Sequence, residues 1–166
     1  MKVLFLSREK VENPLLEEIR RVGKIVKEKG LVEETFGNIS IRYGKRMIIT
    51  ASGADLGDLK DEDFVEVVDY NPVTNIALVI GLKNPSIETP MHWLIYKKPE
   101  INAIIHTHKI FDNVPTTEKY APPGSLELAL EALKALRNAN LINLKDHGSI
   151  AVGFSLQQAL EELKCL

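Results

Sequence analysis

Cysteine is almost absent from this chain of 166 residues, and its single copy, Cys165, lies next to the last residue. A lone cysteine cannot form a disulfide within the chain, so we expect a fold that depends on its apolar core in a reducing compartment, the cytoplasm. Long apolar runs are also lacking. No run approaches the roughly 20 residues of a membrane span, and the apolar start is too short for a signal peptide.

An excess of charge of one sign is missing as well. The 21 basic and 23 acidic residues are mixed along the chain and give a formal net charge of −2. Nucleic-acid binders typically carry a basic face, so neither nucleic acid nor a membrane is expected as a partner. With 45% hydrophobic residues, the chain is long enough for a substantial core, and we predict a single domain over residues 1–166.

Helical and strand-like patterns alternate along the chain. Apolar spacing predicts four helices: over about 14–29 with Gly30 as its C-cap, over 86–100 with Pro90 in its first turn, over 125–140, and from an N-cap at Ser155 to the end. In the third helix we expect one apolar stripe made of Leu126, Leu130, Leu133 and Leu136.

Short β-rich runs lie between these helices, within 37–44, 45–53, 58–70, 75–82, 100–108 and 141–153. The first two are joined at Tyr43-Gly44-Lys45, and the last contains a turn at His147-Gly148. Because such connections are hairpins, we predict an α/β protein with a mixed or antiparallel sheet and helices on its faces.

Two of the four histidines stand close together in "INAIIHTH". His106 and His108 are separated by one residue at the end of a predicted strand, so they share a face at a spacing of about 6.6 Å. Imidazoles at that spacing can bind one Zn²⁺. The alternative is a pair of solvated histidines at a strand end.

A third ligand is best supplied by His147, since catalytic zinc sites usually have three protein ligands and an open position. It precedes Gly148, which allows the backbone to bend tightly. We expect His92, which lies in a predicted helix beside Met91 and Trp93, to be a packed histidine rather than a ligand.

Glu88 stands near the start of the predicted helix that precedes the two histidines. It is a candidate general acid or base, or a fourth ligand that substrate displaces; the alternative is a residue that only stabilises the helix dipole. Three turns, at 37–40, 50–53 and 84–88, can present backbone N–H groups to a phosphate, although each alone is more often simply a turn.

The order of these motifs resembles the class II aldolase/adducin family. It runs through an N-terminal helix, "GNIS", "TASG", "PSIE", "YKKPEINAIIHTH", His147-Gly148 and the "SLQQALEEL" helix. The resemblance covers nearly the whole chain, and the combination is more specific than any one of its parts.

The resemblance implies a fold of three layers, α/β/α, around a mostly antiparallel sheet, in a homo-oligomer that is commonly a tetramer. It also implies a lyase that cleaves or forms a C–C bond in a sugar phosphate, through an enediolate of dihydroxyacetone phosphate stabilised by one Zn²⁺ per chain. The implied metal ligands are His106, His108 and His147, with Glu88 as acid/base residue. The implied phosphate ligands are Gly37, Asn38, Ser52, Gly53 and Ser86.

Three departures concern the substrate. Ile87 stands where the family usually has a second serine before the glutamate. The segment between His108 and His147 is shorter than usual, and the family's C-terminal helix with a substrate-facing tyrosine is not expected. The natural ketose and aldehyde are therefore left open, as is phosphorylation of the substrate.

Other readings of the metal motif are less favoured. A cupin would need a nearby downstream Glu and an all-β chain, and a (β/α)₈ hydrolase needs about 250 residues. A related sugar-phosphate dehydratase or epimerase would use the same metal site. A non-catalytic, adducin-like binding module would be expected to lose the histidines, and this chain keeps all three.

Overall fold

A computed structural model describes residues 1–164, and within that range the chain forms eight β-strands and four α-helices. The strands are β1 (Lys2–Ser7), β2 (Asn38–Tyr43), β3 (Arg46–Thr50), β4 (Phe64–Asn71), β5 (Ile76–Ile80), β6 (Ala103–Thr107), β7 (Leu141–Leu144) and β8 (Gly148–Gly153). The helices are α1 (Leu16–Glu28), α2 (Thr89–Ile95), α3 (Leu126–Ala135) and α4 (Leu156–Lys164).

All eight strands belong to one mixed sheet, in the order β1-β5-β4-β3-β2-β6-β8-β7. The pairing of β1 with β5 is parallel and the other described pairings are antiparallel. Strand β6 lies between β2 and β8 and is buried along its whole length, including the polar His106 and Thr107 at its end. The predicted α/β class with a mostly antiparallel sheet is confirmed.

The helices cover the sheet in two pairs. Helix α1 packs against α4, and these two contact β2, β6 and β8. Helix α2 packs against α3, and its side chains reach Ser40 of β2 through hydrogen bonds. Because side chains alternate along a strand, Ser40 and its buried neighbour Ile39 point to opposite faces. The result is the predicted three-layer α/β/α arrangement.

Local signals account for most elements. Helix α1 buries Ile19, Val22 and Val26 on one face and ends where Gly30 adopts a φ of +68°. Strands β2 and β3 form the predicted hairpin, with Tyr43 opposite Arg46 inside the strands rather than in the turn. Two short 3₁₀ turns precede β4, and Ser155 caps α4 by accepting a hydrogen bond from the Gln158 N–H.

Three elements differ from the sequence-based prediction. Strand β1 was not predicted, and its Lys2–Ser7 segment pairs with β5 far along the chain. Helix α2 begins at Thr89 and has seven residues, because residues 86–88 belong to the preceding turn. Helix α4 was predicted to reach the end of the chain, and its last two positions, Cys165 and Leu166, lie outside the described residues.

A helix is confirmed here, although α3 ends at Ala135 rather than at 140, and its predicted leucine stripe is wrong. Leu126 and Leu130 are exposed, whereas Leu128, Ala129 and Ala132 are buried. The buried face contains two alanines, whose small side chains allow α3 to approach α2 closely. Leu136, just beyond the helix, is the one member of the predicted stripe that is fully buried.

Among the helices described over residues 1–164, none is both long enough and apolar enough to cross a membrane.

Candidate metal centre

Three histidines meet at one edge of the sheet, where β6, the β7–β8 turn and the start of α2 converge. His106 lies in β6, His108 follows the end of that strand, and His147 lies in the β7–β8 turn. One ring nitrogen from each lies within 4.8 Å of the others. The structure therefore brings together the predicted ligand set, and metal binding by these residues stays a prediction. His92 lies outside this cluster.

A close backbone approach explains how His147 reaches the end of β6. Gly148, directly after it, passes so near that strand that a Cβ at this position would lie 2.1 Å from the Thr107 carbonyl oxygen and 2.9 Å from the His108 Cα. No side chain fits there, so the glycine is required by contact. Asp146 completes the turn with a φ of +56°.

His106 is oriented by its backbone neighbour on β8. Its ring is fully buried, and Nδ1 lies 2.9 Å from the Ser149 carbonyl oxygen. A carbonyl only accepts, so Nδ1 carries the proton and the Nε2 lone pair is directed into the cluster. Burial lowers the pKa of His106 to about 3, so the imidazole is neutral at neutral pH, as a metal ligand must be.

The other two imidazoles are also kept neutral. Burial lowers the pKa of His147 to about 4 and that of His108 below its ordinary value. His108 is more exposed, and two contacts hold it: its backbone N–H donates to the Leu31 carbonyl at 3.3 Å, and the Phe36 ring stacks on its imidazole with centroids 4.9 Å apart.

Glu88 occupies the N-cap position of α2 and points into the histidine cluster. Its Oε2 lies 3.1 Å from His106 Nε2 and its Oε1 lies 3.2 Å from His147 Nε2. The Asn38 carboxamide donates to Oε2 at 2.8 Å. Burial raises the pKa of this carboxyl, while the adjacent His147 and Asn38 act in the opposite direction. A buried carboxyl group so placed is a candidate to hold or release a proton during a reaction.

The donor set fits a divalent cation. Despite the short distances to their neighbours, His106 Nε2 and Glu88 Oε1 have no hydrogen-bond partner among the described residues. Buried polar atoms are rarely left unpaired in native proteins. Imidazole nitrogens with a carboxylate oxygen are typical ligands of Zn²⁺ and similar transition metals.

A cavity of about 330 Å³ opens beside the cluster. Its walls include every residue predicted to bind phosphate, namely Gly37, Asn38, Ser52, Gly53 and Ser86. Two of these have partners within the protein, since the Asn38 amide bonds to Glu88 and the Ser86 hydroxyl accepts from the Glu88 N–H. The residues are brought together as expected, and phosphate binding by them stays a prediction.

Phe36 and Pro123 also line this cavity, and neither was predicted from the sequence. Phe36 precedes the predicted turn at 37–40 and gave no signal of its own, since a single aromatic residue in a loop has no period. Pro123 comes from the long irregular segment between β6 and α3, which folds back so that Gly124 contacts the Ile87 backbone. Only the folded chain shows that this segment covers the site.

Comparisons of sequence agree with this arrangement. Residues 17–112 match the family model described as the class II aldolase and adducin N-terminal domain. The chain is 31% identical over 153 residues to an L-fuculose phosphate aldolase of Methanocaldococcus jannaschii, covering 78% of this chain and 79% of the relative. It is 33% identical over 126 residues to a methylthioribulose-1-phosphate dehydratase of Leptospira biflexa, covering 74% of this chain and 59% of that protein.

The fold is shared with solved structures. A structure of L-fuculose 1-phosphate aldolase superposes with a TM-score of 0.79 at 27% identity, over 94% of this chain and 84% of that one.

Proposed function

The chain belongs to the class II aldolase/adducin family and is an enzyme of that superfamily, and from this premise we propose that it is a zinc-dependent aldolase acting on a sugar phosphate. The family, which the order of motifs predicted, is confirmed. The proposed reaction is reversible cleavage of a ketose 1-phosphate to dihydroxyacetone phosphate and an aldehyde, as in an L-fuculose phosphate aldolase.

The observation that carries the proposal is the meeting of three neutral imidazoles with one buried carboxylate. Class II aldolases are metal-dependent, and His106, His108 and His147 are the residues that would hold the metal here. A bound Zn²⁺ would supply Lewis-acid stabilisation of negative charge on the donor's carbonyl and hydroxyl oxygens.

In the proposed mechanism, Glu88 moves the proton. It would take a proton from the donor carbon in synthesis and return it to that carbon in cleavage. The Asn38 carboxamide fixes one carboxylate oxygen, and the buried position of Glu88 limits access of water to it. The Nε2 atoms of His106 and His147 each lie close to one carboxylate oxygen. Both rings are neutral at neutral pH, so no proton would compete with the metal for these nitrogens.

The proposed phosphate site is built from neutral groups. Among the described residues that line the cavity, none is Lys or Arg. Phosphate would therefore depend on hydroxyl and backbone donors around Ser52, Gly53 and Ser86, while the exposed Ile87 offers no side-chain donor. We infer that phosphate is bound, but more weakly than at a site with a second serine.

A dehydratase or epimerase on the same site is the second candidate. The similarity to the methylthioribulose-1-phosphate dehydratase of Leptospira biflexa favours it, because the same metal and carboxylate can remove a proton next to a carbonyl without breaking a C–C bond.

The deciding experiment combines metal analysis with product analysis. Purified protein is assayed for metal by mass spectrometry, stripped with a chelator, and reloaded with Zn²⁺. Each form is incubated with a panel of phosphorylated and free ketoses, and the products are separated and identified by NMR. Formation of dihydroxyacetone phosphate by the zinc-loaded form alone supports the aldolase. An epimer or a dehydrated ketose without cleavage would replace it with the second candidate.

We also infer a homo-oligomer, a tetramer by the family resemblance. Large apolar side chains at Leu126, Leu130 and Phe154 are exposed on this chain of 18.6 kDa, which supports self-association. Light scattering coupled to size exclusion measures the mass directly, and a monomer at micromolar concentration would refute this inference.

A further inference from the structure

His92 is buried inside a line of polar groups that the proposed reaction does not use. It lies on α2 with no exposed surface, and its Nδ1 is 2.7 Å from the Ser40 hydroxyl of β2. The Ser40 hydroxyl is also 2.7 Å from the hydroxyl of Tyr96, which lies four residues after His92. Burial of an imidazole is costly unless its nitrogens are hydrogen-bonded, and among the described residues only Nδ1 of His92 has a partner.

The direction of these hydrogen bonds follows from which groups hold protons. Burial raises the pKa of the Tyr96 phenol and lowers that of His92 to about 3, so the phenol is protonated and the imidazole is neutral. Ser40 is the hydrogen-bond partner that the structure gives to the Tyr96 hydroxyl, so Tyr96 donates to Ser40. Ser40 then donates to His92 Nδ1, which leaves the ring proton on Nε2.

If both hydrogen bonds ran in the opposite direction, fewer buried donors and acceptors would have partners. If His92 Nδ1 donated to Ser40 and Ser40 to Tyr96, the phenolic proton would have no acceptor among the described residues. In addition, His92 Nε2 would become an acceptor without a donor, as Asn38 Oδ1 already is among these residues. Buried donors and acceptors are nearly always paired, so the first direction is the stable one.

These hydrogen-bonded groups lie next to the Asn38–Glu88 pair of the candidate metal centre. Asn38 and Ser40 lie two residues apart on β2 and share a face, while Glu88 and His92 lie one turn apart on α2. Asn38 bonds to Glu88 and Ser40 bonds to His92, as two successive rungs between the strand and the helix. Two of the buried atoms without a hydrogen-bond partner among residues 1–164 are the donor His92 Nε2 and the acceptor Asn38 Oδ1.

We propose that His92 is a positioning residue for Glu88: its Nε2–H bonds to Asn38 Oδ1 through one bridging water, and so fixes the Asn38 carboxamide with its NH₂ group toward the carboxylate. A carboxamide can turn over and exchange its oxygen and nitrogen. Without a donor from His92, the turned form would place Asn38 Oδ1 against Glu88 Oε2, where two acceptors repel. The kinetic part rests on the proposed function, whereas the hydrogen-bond arrangement does not.

The tautomer is tested first, because its measurement needs no substrate. Nitrogen-15 NMR of the zinc-loaded protein, with the His92 signals assigned through His92→Gln, distinguishes a protonated Nε2 from a protonated Nδ1. The proposal requires the Nε2–H form. A protonated Nδ1, or a charged ring at neutral pH, would reverse the line of donors and overturn the proposal whether or not the protein is an aldolase.

Two substitutions then separate positioning from packing. In His92→Gln the longer carboxamide can place an N–H donor where Nε2 stands. In His92→Asn the shorter one can meet Ser40 but cannot reach Asn38. We expect His92→Asn to lower kcat by about 3- to 10-fold, the equivalent of one hydrogen bond, with KM and bound zinc unchanged, and His92→Gln to recover part of the loss. Met91→Leu, an equally buried change on α2, is the matched control and should leave kcat unchanged.

A double-mutant cycle with Asn38→Ala identifies the route. If His92 acts through Asn38, then His92→Asn should have little further effect on kcat in the Asn38→Ala background. Equal kcat in His92→Asn and His92→Gln, or fully additive effects in the cycle, would show that His92 has only a structural role.

Discussion

At the scale of single residues, the candidate centre owes its chemistry to protonation states that burial imposes. His106 would be partly charged in water at pH 6.5, but inside the sheet it has no room for hydration and donates its one proton to a backbone carbonyl. Glu88, placed between two such rings, is the one acidic side chain among the described residues that line the cavity. Neutral imidazole nitrogens, with or without a carboxylate, are typical ligands of a divalent metal such as Zn²⁺.

The ligand set is tested by removing one histidine at a time. His106→Ala, His108→Ala and His147→Ala should each weaken zinc binding by more than about 100-fold, beyond the usual effect of an outer hydrogen-bond partner. His92→Gln is the control and should retain about one zinc per chain. Metal content after dialysis, measured by mass spectrometry, checks this. Loss of zinc from His92→Gln with retention in His147→Ala would mean that the ligand assignment is wrong.

Glu88→Gln tests the acid/base role. The carboxamide keeps the shape of the side chain but cannot accept a proton, so turnover should fall by roughly 10²–10⁴-fold, the usual contribution of a positioned acid or base. Zinc content and thermal stability should stay close to wild type, because three imidazoles remain. Near-normal turnover on the substrate found in the product screen would remove Glu88 from the mechanism.

Ile87→Ser tests the phosphate site. An added hydroxyl at this exposed wall of the cavity can donate to a phosphate oxygen, and a hydrogen bond to a charged group contributes roughly 1.5–3 kcal/mol. We expect KM for a ketose 1-phosphate to fall several-fold with little change in kcat. Ile110→Ser, at an isoleucine of similar exposure outside the cavity, is the matched control. If neither protein binds a phosphorylated sugar while a free ketose reacts, the substrate is unphosphorylated.

At the scale of elements, the β7–β8 turn determines where His147, the third candidate ligand, lies. This turn brings His147 over the end of β6 because its backbone comes into direct contact with Thr107 and His108 at Gly148. The candidate metal centre is thus assembled from two neighbouring strands of a sheet whose register is fixed by hydrogen bonds, and Glu88 is added from the start of a helix on one face.

Gly148→Ala should disrupt both the turn and the site. A methyl group 2.1 Å from a carbonyl oxygen forces the backbone apart, which we expect to lower the free energy of unfolding by more than about 2 kcal/mol and to weaken zinc binding. Gly44→Ala, where a Cβ meets nothing within 4 Å, is the control: it should cost only the roughly 1–2 kcal/mol of a left-handed backbone and leave zinc affinity unchanged. Urea unfolding and competition with a chromophoric chelator measure the two effects.

At the scale of the whole molecule, the buried histidines connect stability to pH. The pKa of His92 and that of His106 are lowered to about 3 in the folded chain, from the ordinary 6.5. Below pH 6.5 the unfolded chain therefore takes up protons at these sites that the folded chain does not. The stability that these two neutral imidazoles contribute is fully present above pH 6.5 and is lost as the pH falls toward about 3. Glu88, with its raised pKa, opposes this trend in part.

Acid sensitivity of the metal-free protein follows. Its free energy of unfolding should decrease below pH 6.5 by up to about 1.4 kcal/mol per pH unit for each such histidine. Urea titrations at pH 7, 6 and 5 in the presence of a chelator give the slope, and His92→Gln should reduce it. A stability that is flat or rises toward pH 5 would contradict the burial of neutral imidazoles.

The sequence by itself determined the features that depend on residues close together in the chain. The spacing of Ile19, Val22 and Val26 and the glycine after them specify α1, and the hairpin of β2 and β3 is specified by the residues within it. The shared face of His106 and His108 follows from the period of a strand. The order of the motifs was enough to identify the family, because each motif is local and its place in the chain is fixed.

What only the tertiary structure decided depends on contacts between distant segments. Strand β1 forms because β5, some 70 positions along the chain, offers a parallel edge, and α3 buries its alanine face because α2 lies against it. Asn38 faces Glu88, and Phe36 stacks on His108, only after β2, α2 and β6 are assembled. Where two faces of an element are equally apolar in sequence, contacts with distant segments decide which face is buried. A local sequence pattern contains no information about which distant segment will pack against it.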